Sequence, residues 1–178
     1  MWALGLIKLS GDDPAGVDGA LGPLCEQLLM FGAGDPSFIV FLPDEVEALI
    51  RLGELERAER YRESFAQSAA PLDRQWAIAL AERCLGMLAV VRGDAGPASE
   101  AFDRALAAHG RAGMPFDRAR TLLAAGQALR RFKQRRRAGE LLDEAAAATF
   151  KRLGRPYGRS WRKTSWRASG AGSQAGTS

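Results

Sequence analysis

The chain has 178 residues, 47% of them apolar, enough for one domain or one continuous repeat array with its own core. Alanine, leucine, arginine and glutamate dominate while valine, isoleucine and threonine are scarce, which disfavours a strand-rich fold and points to an all-α one. The formal charge of +4 is uneven: residues 1–150 carry 18 basic against 21 acidic residues, whereas residues 151–178 carry seven basic residues and no acid. The basic balance therefore belongs to the C-terminal segment and does not mark the body of the chain as a nucleic-acid-binding domain.

Residues 2–9 and 15–31 read as a first helical pair around Gly11-Asp12-Asp13-Pro14. Residues 43–52 and 54–70 form a second pair, divided by Gly53-Glu54. Residues 73–92 carry Trp76, Leu80, Cys84, Met87, Leu88 and Val91 at steps of three and four, the stripe of a half-buried helix. Gly93-Asp94 supplies a C-terminal glycine and an N-cap, and 95–112 follows with Ala98, Phe102, Ala105 and Leu106 facing inward. Gly113 and Pro115 separate this helix from 115–132, and 134–153 completes the series.

These pairs recur at a spacing of 40 residues. Ala58, Ala98 and Ala138 are followed, seven residues on, by Phe65, Ala105 and Ala145. Gly53 recurs as Gly93, Trp76 as Phe116, Gly86 as Gly126 and Phe102 as Leu142. Small residues at a fixed period mark close helix approaches, and the large ones beside them fill the space left. A helical pair cannot bury its apolar stripe alone, so about four hairpins stacked into a right-handed α-solenoid with a concave groove are expected over residues 1–154.

Gly93-Asp94, Ala98, Phe102 and Ala105, preceded by Leu85-Gly86, resemble a tetratricopeptide-type repeat. More specifically, LDRQWAIALAERCLGMLAVVRGD, its continuation through RAGELLDEA, and FLPDEVEALIRLGELERAE are similar to the helical-repeat region of large LuxR-type transcriptional regulators, the MalT-like kind. The resemblance implies a sensor array set between a signal-transduction ATPase module and a C-terminal helix-turn-helix. Neither module has its motif here: no Gly-x-x-x-x-Gly-Lys-Ser/Thr is present, and Arg162 stands where Lys163-Thr164 would need a glycine. The expectation is a regulator fragment that binds a protein, peptide or small inducer and meets DNA only through modules absent from the chain. A free-standing adaptor that docks a partner peptide is the alternative.

Residues 155–178 form a basic, Gly/Ser-rich tail with Ser-Trp-Arg at 160–162 and again at 165–167. In GC-rich codons that tripeptide can contain Glu-Leu-Ala one register over, so the tail is expected to be disordered and the product of a shifted reading frame.

No catalytic constellation is legible. His109 has no motif partner, and Cys25 and Cys84 read as buried, reduced thiols of a cytoplasmic protein. Without a Cys-x-x-Cys, and with a single histidine, no metal or other cofactor is expected. The opening residues lack the basic start of a signal peptide, and the apolar run Cys84–Val91 is too short to span a membrane. Arg130, Arg131, Lys133, Arg135, Arg136 and Arg137 crowd one turn; a phosphate contact is conceivable, but a solvated turn balanced by Glu140, Asp143 and Glu144 is favoured. Any binding surface should lie along the first helices of the pairs, away from the alanine seam, at Arg83, Met87, Arg120, Gln127 and Arg130.

Overall fold

The computed structural model describes residues 11–31 and 35–152, with side chains as far as residue 148. Its α-helices are α1 (Pro14–Phe31), α2 (Leu42–Leu52), α3 (Leu55–Ala69), α4 (Gln75–Arg92), α5 (Ala95–Ala112), α6 (Pro115–Arg131) and α7 (Arg135–Arg152), with short 3-10 turns at Pro36–Ile39 and Ala70–Leu72. No strand occurs among the described residues. The expected helix 2–9 and the tail lie outside them.

The helices pack in adjacent pairs, most extensively α4 with α5 and α6 with α7, and α2 pairs with α3. Along one side α2 also touches α4, and α4 touches α6, so the first helices of successive hairpins form a layer of their own. Valines, leucines and aromatic residues from α1 to α4 make one large buried cluster, in which Phe65 meets Trp76 edge-to-face at 6.3 Å. Phe102, Ala125 and Ala128 make a smaller one between the later hairpins.

The turn inside each hairpin is the same structure three times over. Gly53, Gly93 and Lys133 occupy the left-handed region at φ 82°, 90° and 62°. Each turn closes with the paired hydrogen bonds of a Schellman motif. Glu54, Asp94 and Gln134 donate their N–H to Leu49, Ala89 and Leu129 at 2.9, 2.9 and 2.8 Å, and Gly53, Gly93 and Lys133 donate to Ile50, Val90 and Arg130 at 3.2, 3.2 and 3.1 Å. Two glycines provide this conformation without a Cβ penalty; Lys133 provides it with one.

The buried faces follow the same period. Ala58, Ala98 and Ala138 are at most 1% exposed. A Cβ on Gly86 would stand 2.9 Å from Phe102 Cε1, and one on Gly126 would stand 2.6 Å from Leu142 Cγ, so the small residues do mark the closest approaches. One assignment needs correction: Val91, expected on the inner stripe, is 39% exposed, and in the last turn of α4 it is Val90 that packs against the later apolar cluster.

Candidate functional site: a charged joint between the first helices

The first turn of α2 carries Asp44 and Glu45, where helix dipoles favour acids, and Glu47 follows in the next turn. Asp44 also receives arginines from two later hairpins, and Glu47 from one of them. Arg120 on α6 donates through one Nη to Asp44 at 2.7 Å and through the other to Glu47 at 2.9 Å. Glu47 also accepts from Arg51 at 2.6 Å, one turn away on its own helix. In a flat row of helices about 8–10 Å apart, α2 and α6 would stand nearly 20 Å from each other, beyond an arginine's reach. α2 and α6, each packed against α4, are therefore close enough for one side chain to bridge them.

Arg83 of α4 sits in the middle. It is 1% exposed, and its two terminal nitrogens lie 3.9 Å from Asp44 and 3.9 Å from Asp117. Those are ion-pair separations, too long for hydrogen bonds, and Nε, Nη1 and Nη2 all lack a hydrogen-bond partner. A buried guanidinium with idle donors costs free energy, so its two flanking carboxylates are what keep it tolerable there.

His109 on α5 borders this joint. It is 2% exposed, and its Nε2 lies 2.9 Å from Thr121 Oγ1. The threonine hydroxyl already donates to the Asp117 carbonyl at 3.0 Å, so Nε2 must carry the proton and Nδ1 is left as a buried acceptor with no partner. Burial, reinforced by the nearby positive charges of Arg83 and Arg118, pushes the imidazole down to about 4, so it is neutral at pH 7. On the other side of α2, burial pushes the Glu45 carboxyl up to about 8, aided by Asp18 beside it. Arg57 in turn holds Asp18 below the usual carboxylate range through a 2.8 Å hydrogen bond.

Cys25 and Cys84 are buried free thiols; burial raises both, Cys84 to about 11, so neither is a ready nucleophile at neutral pH. Among the described residues no cluster of His, Cys, Asp and Glu could hold a metal ion, and no helix is long and apolar enough to cross a membrane.

The sequence-derived groove residues divide. Arg83 and Arg120 converge on Asp44 in the joint; Met87 is half-buried against both apolar clusters; Gln127 and Arg130 are exposed on α6. Met87 and Gln127 are the repeat equivalents of Glu47, yet the three have different surroundings: Glu47 is held by Arg120, Met87 is packed against apolar residues and Gln127 is exposed. Sequence reasoning reads Asp44, Glu45 and Glu47 as the acids of a helix start and does not pair Asp44 and Glu47 with Arg83 and Arg120. It also missed an open cleft of about 360 Å³ lined by Glu26, Leu29, Met30, Arg60, Tyr61 and Ser64, where Tyr61 donates to Glu26 at 2.9 Å.

The crowded basic turn is exposed at Arg130, Arg131, Lys133, Arg135 and Arg136. Arg136 lies 3.5 Å from Glu140, and Arg137 pairs with Asp103 and donates to Ser99 at 2.8 Å. Glu144 pairs with Arg118 instead. Among the described residues no carboxylate pairs with Arg130, Arg131, Lys133 or Arg135. No family model matches the chain, and no match to it was found among curated proteins or solved structures.

Proposed function

We propose that this chain is a non-catalytic helical-repeat segment that binds a protein, peptide or small inducer, as the sensor array of a LuxR-type regulator would. The observation that carries this reading is the threefold recurrence of one hairpin turn at a 40-residue period, at Gly53, Gly93 and Lys133. Repetition of a hairpin generates extended surface instead of an enclosed pocket, and such surfaces bind partners. The gathering of α2, α4 and α6 around Arg83 supports a layer of first helices on the inside of a curve, as a right-handed solenoid would have it. With the inner side filled by its own ion pairs, the binding face is the open side of α6 with Gln127 and Arg130. Sequence-specific DNA recognition and nucleotide hydrolysis would belong to other modules of the regulator.

The test is a display library of amphipathic helical peptides selected against the full chain. The reading expects binders whose affinity falls at least tenfold with Gln127→Lys while the fold is unchanged. Binders indifferent to Gln127→Lys and to Met87→Ala, or no binders, contradict it.

A further inference from the structure

The three hairpin turns share a backbone, so each is a control for what the others need. Residues 50–57 hold two arginines and two glutamates, and residues 90–97 hold one arginine and one aspartate. Residues 130–137 hold five arginines, one lysine and no acid. The hydrogen bonds that close the turns agree to within 0.1 Å at corresponding positions, so the fold does not require the extra charge. Nor does it require lysine at 133, where the other two turns use glycine in the same left-handed conformation. A residue kept in an unfavourable backbone region while adding charge to a cluster that repels itself is not explained by stability.

From this we infer that the α6–α7 turn is a contact site for the phosphate backbone of a nucleic acid, bound without sequence preference. Arg130, Arg131, Lys133 and Arg135 are exposed and have no carboxylate partner among the described residues. Arginine is the better phosphate ligand, since its planar fork engages two oxygens at once. The turn presents no exposed aromatic or aliphatic side chain, Phe132 being half-buried. Protein partners are held by an apolar centre, whereas phosphate contacts need none, and the absence of that centre favours nucleic acid over an acidic protein segment. The absence of a base-stacking platform also explains why no sequence is read. This site shares Arg130 with the proposed face on α6 but not Gln127, so Gln127→Lys tests that face while Arg131→Gln and Arg135→Gln test the turn.

The experiment follows fluorescence anisotropy of a labelled 20-base-pair duplex with the full chain, across a series of salt concentrations. Arg130→Gln, Arg131→Gln and Arg135→Gln combined should lower affinity at low salt at least tenfold. They should also reduce the slope of log K against log salt by about 2 to 3, near 0.9 for each phosphate that is no longer neutralised. Lys133→Gly restores the residue used at 53 and 93; it should reduce the slope by about 1 while the protein melts at a higher temperature. These substitutions leave the basic residues after 150 in place, so any change belongs to the turn. An unchanged slope in the triple variant, no binding by the unaltered chain at low salt, or tighter binding to a poly-glutamate peptide than to the duplex overturns the inference.

Discussion

Gly126 lies directly beneath Leu142, with Cγ of that leucine 2.6 Å from where a Cβ on the glycine would stand and the Ala138 carbonyl 3.3 Å away. Neither neighbour can yield by turning a side-chain tip: Cγ is the branch point, and the carbonyl is backbone. Gly126→Ala should therefore destabilise the protein by about 1–3 kcal/mol in urea unfolding, although alanine is the better helix former. Gly139→Ala, with nothing within 4 Å, should stabilise by about 0.5–1 kcal/mol. In a Leu142→Ala background the cost of Gly126→Ala should largely vanish; additive effects would refute the close approach.

Ala98 makes the same kind of seam in the middle hairpin, at 1% exposure. Ala98→Leu should cost about 1–3 kcal/mol by overpacking. Arg104, whose side chain is 51% exposed and pairs with Glu82 at 3.0 Å, should cost less than about 1 kcal/mol when changed to alanine. Equal costs would mean that the faces of α5 are misassigned.

The charged joint yields an asymmetry. Asp44 holds Arg120 by a hydrogen bond and lies opposite Arg83, so Asp44→Ala strands a buried guanidinium and should cost about 3–5 kcal/mol. Arg83 makes no hydrogen bond, and Arg83→Met keeps its stem while leaving Asp44 bound to Arg120. That change should cost well under half as much. Denaturant midpoints of the two variants decide the matter, and a larger loss for Arg83→Met would show that the joint is organised around Arg83.

Two buried groups titrate in opposite senses. Glu45, near 8 when folded against 4.5 ordinarily, holds its proton more tightly in the folded chain, so its contribution is lost as pH rises from 4.5 to 8. His109, near 4 against 6.5, must gain a proton on unfolding between those values, so its contribution grows as pH rises from 4 to 6.5. The two oppose each other between 4.5 and 6.5, and only Glu45 acts from 6.5 to 8. Stability should decline over that last interval by up to about 1.4 kcal/mol per unit. Glu45→Gln should flatten the decline; a variant with the same slope as the unaltered protein would remove Glu45 from the account.

What the sequence makes legible is local or periodic. Gly53, Gly93 and Gly113 mark helix ends because a left-handed C-terminal residue is nearly a glycine signature, and all three adopt it. Gly86 and Gly126 can be set opposite Phe102 and Leu142 because spacing alone places small against large. Lys133 carries no such signal, so its turn can be located only by its period. Arg83 can be placed on a first helix away from the alanine seam, but its burial depends on α2 and α6 both closing over it, which no local pattern encodes. Thr121 as the partner of His109 is invisible for the same reason: the two come from neighbouring hairpins. Phe116, the repeat equivalent of half-buried Trp76, is 43% exposed, so equivalence in the period does not fix exposure.

The central claim is that one hairpin unit recurs every 40 residues, and an internal deletion tests it most directly. Removing residues 93–132 joins Arg92 to Lys133 in register, so one hairpin turn replaces another and Gly86 meets Leu142 in place of Phe102. The shortened chain should remain helical and unfold cooperatively, with a urea m-value lower by about a quarter, in proportion to the surface removed. Removing residues 93–127 instead breaks the register and should leave a chain without cooperative unfolding. If the in-register deletion fails to fold, or the out-of-register one folds equally well, the hairpins are not interchangeable units and the repeat account is wrong.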